Sequence, residues 1–360
     1  MAETLLIYAL PVFLLCMAAE WAWGRRRGRD TYRLADTLNS LSQGLLSQAV
    51  AALTPLAQTG LYAAVHARLA LVSPTLWHGA LSWGLAVLMY DFCDYWLHRV
   101  SHENSLFWAA HAVHHQSEHF NLSTALRQES LYSVMGAPFF LPMALLGVPT
   151  GQFAAAGMAV LLYQFWIHTE HIGRLGWLDR MFSTPSNHRV HHAVNPGYLD
   201  RNYGAILVLW DRLFGSFTPE AEPCIYGTVK PLASWNPLWA VGQSYAELGR
   251  RMRATPRLAD KLRVIVKPPG WMPPGAAGAE VPAEARLAQP RFDPPAPRWA
   301  RRAAVGLFLA LAVGCGAWLA WSDDLGPLAH LAAAAVLAAG LWGVGALLSR
   351  PARGPATDGA

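Results

Sequence analysis

The chain has 360 residues, of which 53% are hydrophobic and 14% charged, with a formal net charge of +5 and positive mean hydropathy. A soluble domain carries about 25% charged residues, so an ordinary soluble enzyme is excluded. The excess positive charge lies in short arginine groups with no basic stripe interleaved with aromatics; this excludes nucleic acid as a partner and is accounted for by attraction to anionic lipid headgroups.

A helix needs roughly 20 apolar residues to cross a bilayer, and several stretches approach that. Thr4–Trp23 is the first; no basic segment precedes it and Arg25, Arg26, Arg27 and Arg29 follow it, so it reads as an uncleaved anchor rather than a signal peptide. Thr37–Val65 has no charge but carries Asn39, Gln43, Gln48 and Gln58, and Leu69–Tyr90 follows. Leu131–Pro149 and Gly151–Ile167 form an expected hairpin, as do Ala303–Trp321 and Pro327–Ser349 around Asp323 and Asp324. Placing the arginines in the cytoplasm, including Arg298, Arg301, Arg302, Arg350 and Arg353, brings every histidine cluster to the cytoplasmic face. The Ala-, Gly- and Arg-rich composition fits a bacterial inner membrane.

The predicted fold is therefore all-α, a multi-pass membrane helical bundle with a cytoplasmic helical cap. Residues 1–84 are expected as N-terminal membrane helices and 85–250 as the catalytic domain with its cap. A proline-rich extended linker follows at 251–302, since residues 254 to 300 hold ten prolines and proline disrupts helix interiors. A transmembrane hairpin at 303–349 and a cytoplasmic tail at 350–360 complete the chain, with no internal repeat. Cys16, Cys93, Cys224 and Cys315 are scattered and form no Cys-x-x-Cys pair, so they read as buried small residues rather than disulfides or thiolate ligands.

Four histidine clusters carry the chemistry: His98 with His102, His111 with His114 and His115, His168 with His171, and His188 with His191 and His192. Side chains three or four apart on a helix are neighbours, so each spacing makes nitrogens converge. Ten of the 14 histidines lie here, too many for one tetrahedral zinc, and two metal ions fit the number. Imidazole suits iron, zinc, copper and nickel. An all-imidazole pair points to non-haem iron, O2 and a lipid C–H bond, with zinc able to substitute in purified protein. A zinc hydrolase with metal-bound water is a weaker alternative, because ten histidines overfill it. His66, His78 and His330 are isolated and read as structural, and His119 as a neighbour of the site.

The pattern His-x3-His, His-x2-His-His and a later His-x2-His-His resembles the fatty acid hydroxylase and sterol desaturase superfamily of membrane di-iron enzymes. The runs from Asp91 to Arg99, Asn121 to Gln128, Leu162 to Glu170, Thr184 to His192 and Asn202 to Gly215 are similar to its alkylglycerol monooxygenase branch. The resemblance implies an all-helical membrane fold, a di-iron centre and O2-dependent hydroxylation of a lipid. In that branch it also implies tetrahydrobiopterin as electron source and a hemiacetal that collapses to a fatty aldehyde. His98, His102, His111, His114, His115, His188, His191 and His192 match its eight-histidine core, and His168 matches a further histidine. His171 is supported only by its spacing from His168, and Asn187 stands where the pattern has another histidine.

Metal-bound imidazoles usually donate their other N–H to a carboxylate or carbonyl. Asp91 and Asp94 precede His98, and acids in an apolar span are costly. Asp94, Glu103, Glu170 and Asn187 are thus the expected catalytic positions, with Glu103 and Arg127 expected to meet a cofactor. Three readings follow. The first is a di-iron monooxygenase of an ether lipid or related glycerolipid, served by a pterin or a separate donor. The second is a sterol or fatty-acyl hydroxylase or desaturase fed by a ferredoxin or cytochrome. The third is a membrane metal-binding or transport protein, which the gathering of ligands at one face disfavours.

Overall fold

A computed structural model describes residues 2–54, 56–274 and 283–350; apart from Arg350, the expected tail lies outside the described residues. Among these the regular structure is helical, with two isolated bridges, Phe182 to Leu207 and Ala193 to Tyr226, instead of strands. The first helices are α1 (Ala2–Arg26), α2 (Leu34–Leu53), α3 (Leu61–Leu69), α4 (Ala80–Glu103) and α5 (Ser105–His115). They are followed by α6 (Leu122–Ala125), α7 (Tyr132–Leu145), α8 (Thr150–Trp166), α9 (Pro185–His192) and α10 (Leu209–Phe214). The last are α11 (Pro237–Ala254), α12 (Leu258–Val266), α13 (Ala283–Leu287), α14 (Arg298–Ala320) and α15 (Pro327–Leu348).

Helices α14 and α15 are long and apolar enough to cross a membrane, and most of their residues remain unburied. The other expected spans differ. Thr37–Val65 is broken after Leu53, and α2 buries Asp36, Asn39, Ser40, Ser42 and Gln43 inside the protein. Leu69–Tyr90 begins late: residues 70 to 79 contain Pro74 and end on Gly79 at φ 84°, so helix starts only at Ala80. The shift matters, because α4 then runs unbroken through His98 and His102. At 1.5 Å per residue α7 is only about 21 Å long, and it contains Pro138 and Pro142.

Two side-chain caps set the helices around the centre. Asn104 accepts from Leu106 N and Phe107 N and turns α4 directly into α5, while Asn236 caps α11 in the same way with Pro237 behind it. Such caps satisfy otherwise orphaned amides. Helices α3, α4, α7 and α8 share a core built from Tyr62, Leu97, Phe140, Met143 and Phe153. Close approach there needs glycine: a Cβ on Gly136 would lie 2.4 Å from Leu97 Cδ2, and one on Gly157 2.9 Å from the Tyr90 ring. A second core joins α2, α14 and α15 around Trp235, Leu341 and Val344.

The proline-rich segment differs from the expected extended linker. Between Pro256 and Pro268 there is room for α12, and α13 lies between Pro282 and Pro290. Arg286 of α13 is 1% exposed, donates to Glu118 Oε1 at 2.5 Å, and Phe292 N donates to the other Glu118 oxygen. The segment is thus fastened to the end of α5.

Candidate metal centre

Nine of the ten expected ligands meet in two buried groups. His98, His102, His111, His115 and His191 form the first, and His114, His168, His188 and His192 the second; within each, the ligand nitrogens lie within 4.8 Å of one another. The grouping cuts across the sequence clusters. On α5, His111 and His115 are four apart and face the first group, while His114 points to the second; on α9, His188 and His192 face the second and His191 the first. Two helices therefore supply both groups.

Hydrogen bonds from Nδ1 orient the rings. His98 Nδ1 donates to Tyr203 O at 2.7 Å, His114 to Arg127 O at 2.9 Å, His168 to Gln164 O at 2.7 Å and His191 to Arg201 O at 3.0 Å. His111 Nδ1 lies 2.7 Å from Glu129 Oε1, and His102 Nδ1 lies 3.3 Å from Asp200 Oδ1. A carbonyl can only accept, so each such Nδ1 carries the proton and Nε2 carries a lone pair. Yet His114 Nε2 lies 3.3 Å from His168 Nε2. Two lone pairs cannot hydrogen-bond to each other. The buried Nε2 atoms of His102 and His191 have no partner at all. A cation seated in each group resolves both observations, and the all-nitrogen donor set fits iron or zinc. Burial holds the imidazoles of His111, His115, His188, His191 and His192 well below their ordinary pKa, and that of His114 down to about 4. They are thus neutral, as metal ligands must be.

The remaining expected site residues lie elsewhere. Helix α8 stops at Trp166, so the helical spacing assumed between His168 and His171 does not exist; His171 Nε2 instead sits 3.2 Å from Thr31 Oγ1. Asn187 donates its amide to Asp179 O and Phe182 O, bracing the start of α9. Glu103 pairs with Arg99 at the surface, 3.0 Å away. Glu170 keeps its backbone carbonyl on Arg29, and its carboxylate faces Arg291, Arg29 and Arg189 rather than either histidine group. Asp94 is partly buried one turn before His98. Arg127 is enclosed, bonded to Val113 O, Asn39 Oδ1 and Gln116 Oε1. It ties α2 to α5. His119 lies 3.2 Å from Arg291 Nη1, His66 3.3 Å from Gly147 O and His330 3.0 Å from Trp318 Nε1, all outside both groups.

Glu129, Asp200 and Asp211 are the positions that sequence reasoning missed. Asp211 accepts from Tyr203 N and Gly204 N at 2.8 Å and from Ser216 Oγ at 2.7 Å. That carboxylate fixes the loop whose Tyr203 carbonyl holds His98. Asp91 does the same one step along, accepting from Ile206 N, Leu207 N and Trp210 Nε1.

Comparison with known proteins places this geometry. Residues 83–216 match the fatty acid hydroxylase family. The chain is 39% identical to the alkylglycerol monooxygenase of Xenopus tropicalis over 271 residues, 75% of this chain and 59% of the relative. It is 36% identical to that of Homo sapiens over 286 residues, 76% of this chain and 63% of the relative. It is also 29% identical to an ornithine lipid hydroxylase of Rhizobium tropici over 217 residues, 59% of this chain and 65% of the relative. The chain spans 44% to 63% of the length of the alkylglycerol monooxygenases it matches. No solved structure matches it. These relatives come from vertebrates and a bacterium, so kinship does not select the bacterial membrane expected from composition. Both histidine groups fall within residues 83–216, the part of the chain that matches the fatty acid hydroxylase family.

Proposed function

We propose that the protein is a membrane di-iron monooxygenase that hydroxylates a lipid C–H bond with O2. The observation that carries this reading is the pair of buried all-imidazole groups, one in which the Nε2 lone pairs of His114 and His168 face each other and one in which His102 Nε2 and His191 Nε2 have no hydrogen-bond partner among the described residues. His98, His102, His111, His115 and His191 would hold one iron and His114, His168, His188 and His192 the other. Iron held there supplies O2 activation for attack on an unactivated C–H bond. The chain's own residues keep the rings neutral by burial, aim them through Tyr203, Arg127, Gln164 and Arg201 carbonyls, and brace His111 on Glu129.

The substrate proposed is an alkylglycerol ether, which rests on identities of 36% and 39% to proteins named for that lipid; tetrahydrobiopterin is proposed as the electron source on the resemblance of the runs Asn121 to Gln128 and Leu162 to Glu170 to that branch. The chain is further proposed to span the membrane several times, with the metal centre on its arginine-rich, cytoplasmic side. Membranes containing the protein are expected to consume O2 with an alkylglycerol and tetrahydrobiopterin and release a fatty aldehyde, and purified protein to contain about two metal atoms per chain. One metal atom or none after iron-replete expression refutes the di-iron reading. Turnover of a sterol or fatty-acyl lipid with ferredoxin and reductase, and none with pterin, moves the assignment to that second class.

A further inference from the structure

Helix α4 carries an outward stripe of Leu81, Leu85, Leu88 and Phe92, spaced by four, three and four residues and all exposed. That spacing keeps one helix face, here unpartnered within the chain. The stripe does not end at Phe92. The Phe92 ring lies 5.0 Å from Trp210, edge-on, and 6.3 Å from Phe214, both on α10. The adjoining face of α10 then presents Leu209 at 39% and Leu213 at 69% exposure. Met181 continues it, since its carbonyl accepts from Val208 N, and it is 41% exposed. Trp177, in the short turn before Met181, is 65% exposed. Arg174, Arg180 and Arg212 are exposed on or beside these segments, and Arg212 Nε donates to the Arg180 carbonyl, which ties α10 to the turn before Met181.

An apolar surface edged by arginines and adjoining the exposed apolar stripe of α4 fits one occupant. We propose that α10 and the turn from Trp177 to Met181 form a foot that seats in the headgroup–acyl boundary of an anionic leaflet. Interfacial apolar faces of this kind sink about 5–10 Å below the headgroups, and aromatic residues such as Trp177 favour that depth. Arginines at the edge meet lipid phosphates in bidentate fashion. The foot is also tied to the metal centre. Asp211 of α10 holds Tyr203 N and Gly204 N, and Tyr203 O holds His98. The foot would thus anchor in the leaflet the same loop that holds His98.

This inference rests on the membrane reading proposed above, but its test needs neither metal nor turnover, so the two fail separately. The full-length chain is placed in nanodiscs of phosphatidylcholine and phosphatidylglycerol with a nitroxide at Leu213→Cys or, in a second variant, Trp177→Cys. The unsubstituted chain, with Cys16, Cys93, Cys224 and Cys315, supplies the labelling background. Collision with oxygen is expected to exceed collision with a water-soluble nickel chelate several-fold at both positions. Equal access by the chelate overturns the proposal. So does spin–spin broadening between labels, which assigns the face to a second copy of the chain.

Discussion

Replacing Asp211 by alanine tests how the metal centre is held. Its carboxylate is fully buried and accepts Tyr203 N, Gly204 N and Ser216 Oγ. The loop cannot relax to find substitutes, since Asn202 already has a left-handed φ of 57° and a Cβ on Gly204 would lie 2.4 Å from Leu207 O. Each buried N–H left unpaired costs about 1–3 kcal/mol, so the two amides together cost roughly 2–6 kcal/mol on the same scale. At about 2 °C per kcal/mol for a chain of this size, the melting midpoint in detergent should fall by roughly 4–12 °C. Asp211→Asn keeps one accepting oxygen and should lose about half as much. Because Tyr203 O orients His98, metal affinity of the five-histidine group should also fall, on the order of 10–100-fold, as read by chelator competition. An alanine variant that melts with the parent and binds both metals equally well refutes the reasoning.

His98→Ala, His111→Ala and His191→Ala should each abolish turnover while the protein still floats with membranes, whereas His171→Ala should retain both metals on elemental analysis. Glu129→Gln should weaken metal binding about 10–100-fold, seen as faster loss to a chelator, because its oxygen lies 2.7 Å from His111 Nδ1. Arg286→Met leaves the buried Glu118 carboxylate without its ion-pair partner, with only Phe292 N still donating to it, and should destabilise the fold by about 3–5 kcal/mol; an unchanged melting curve would mean that the proline-rich segment is not part of the fold.

The histidines were legible because their signal is local: spacings of three and four on a helix do not depend on the rest of the chain. Their allocation was not. Whether His114 joins His111 depends on how α5 packs against α4 and α11, which no spacing encodes. His171 failed for a local reason, since a pattern continued past the end of α8. Glu129 and Asp200 lie 18 and 98 residues from the imidazoles they face, beyond any periodicity. Arg127 stood in a recognised run, but its bonds to Asn39 and Gln116 give it a part in packing α2 on α5 that no local pattern encodes. The all-helical class was readable from hydropathy, whereas the start of α4 was displaced by Pro74 and Gly79, whose punctuation outweighs an apolar run.

The sharing of α5 and α9 between the groups has a thermodynamic consequence. His111 and His115 belong to one group and His114 to the other, on one rigid helix of 11 residues; α9 repeats this with His191 against His188 and His192. A metal entering either group takes up Nε2 atoms that face one another or lack a partner, such as His114 against His168 in one group and His191 in the other, and sets both helices. The second metal then meets ligands already ordered, so it forgoes part of the ordering cost, which is positive coupling between sites. Adding ferrous iron at half the full stoichiometry to metal-stripped protein should therefore give mainly empty and doubly loaded chains in native mass spectrometry. A distribution dominated by singly loaded chains would mean that α5 and α9 are rigid without metal and that the two groups fill independently.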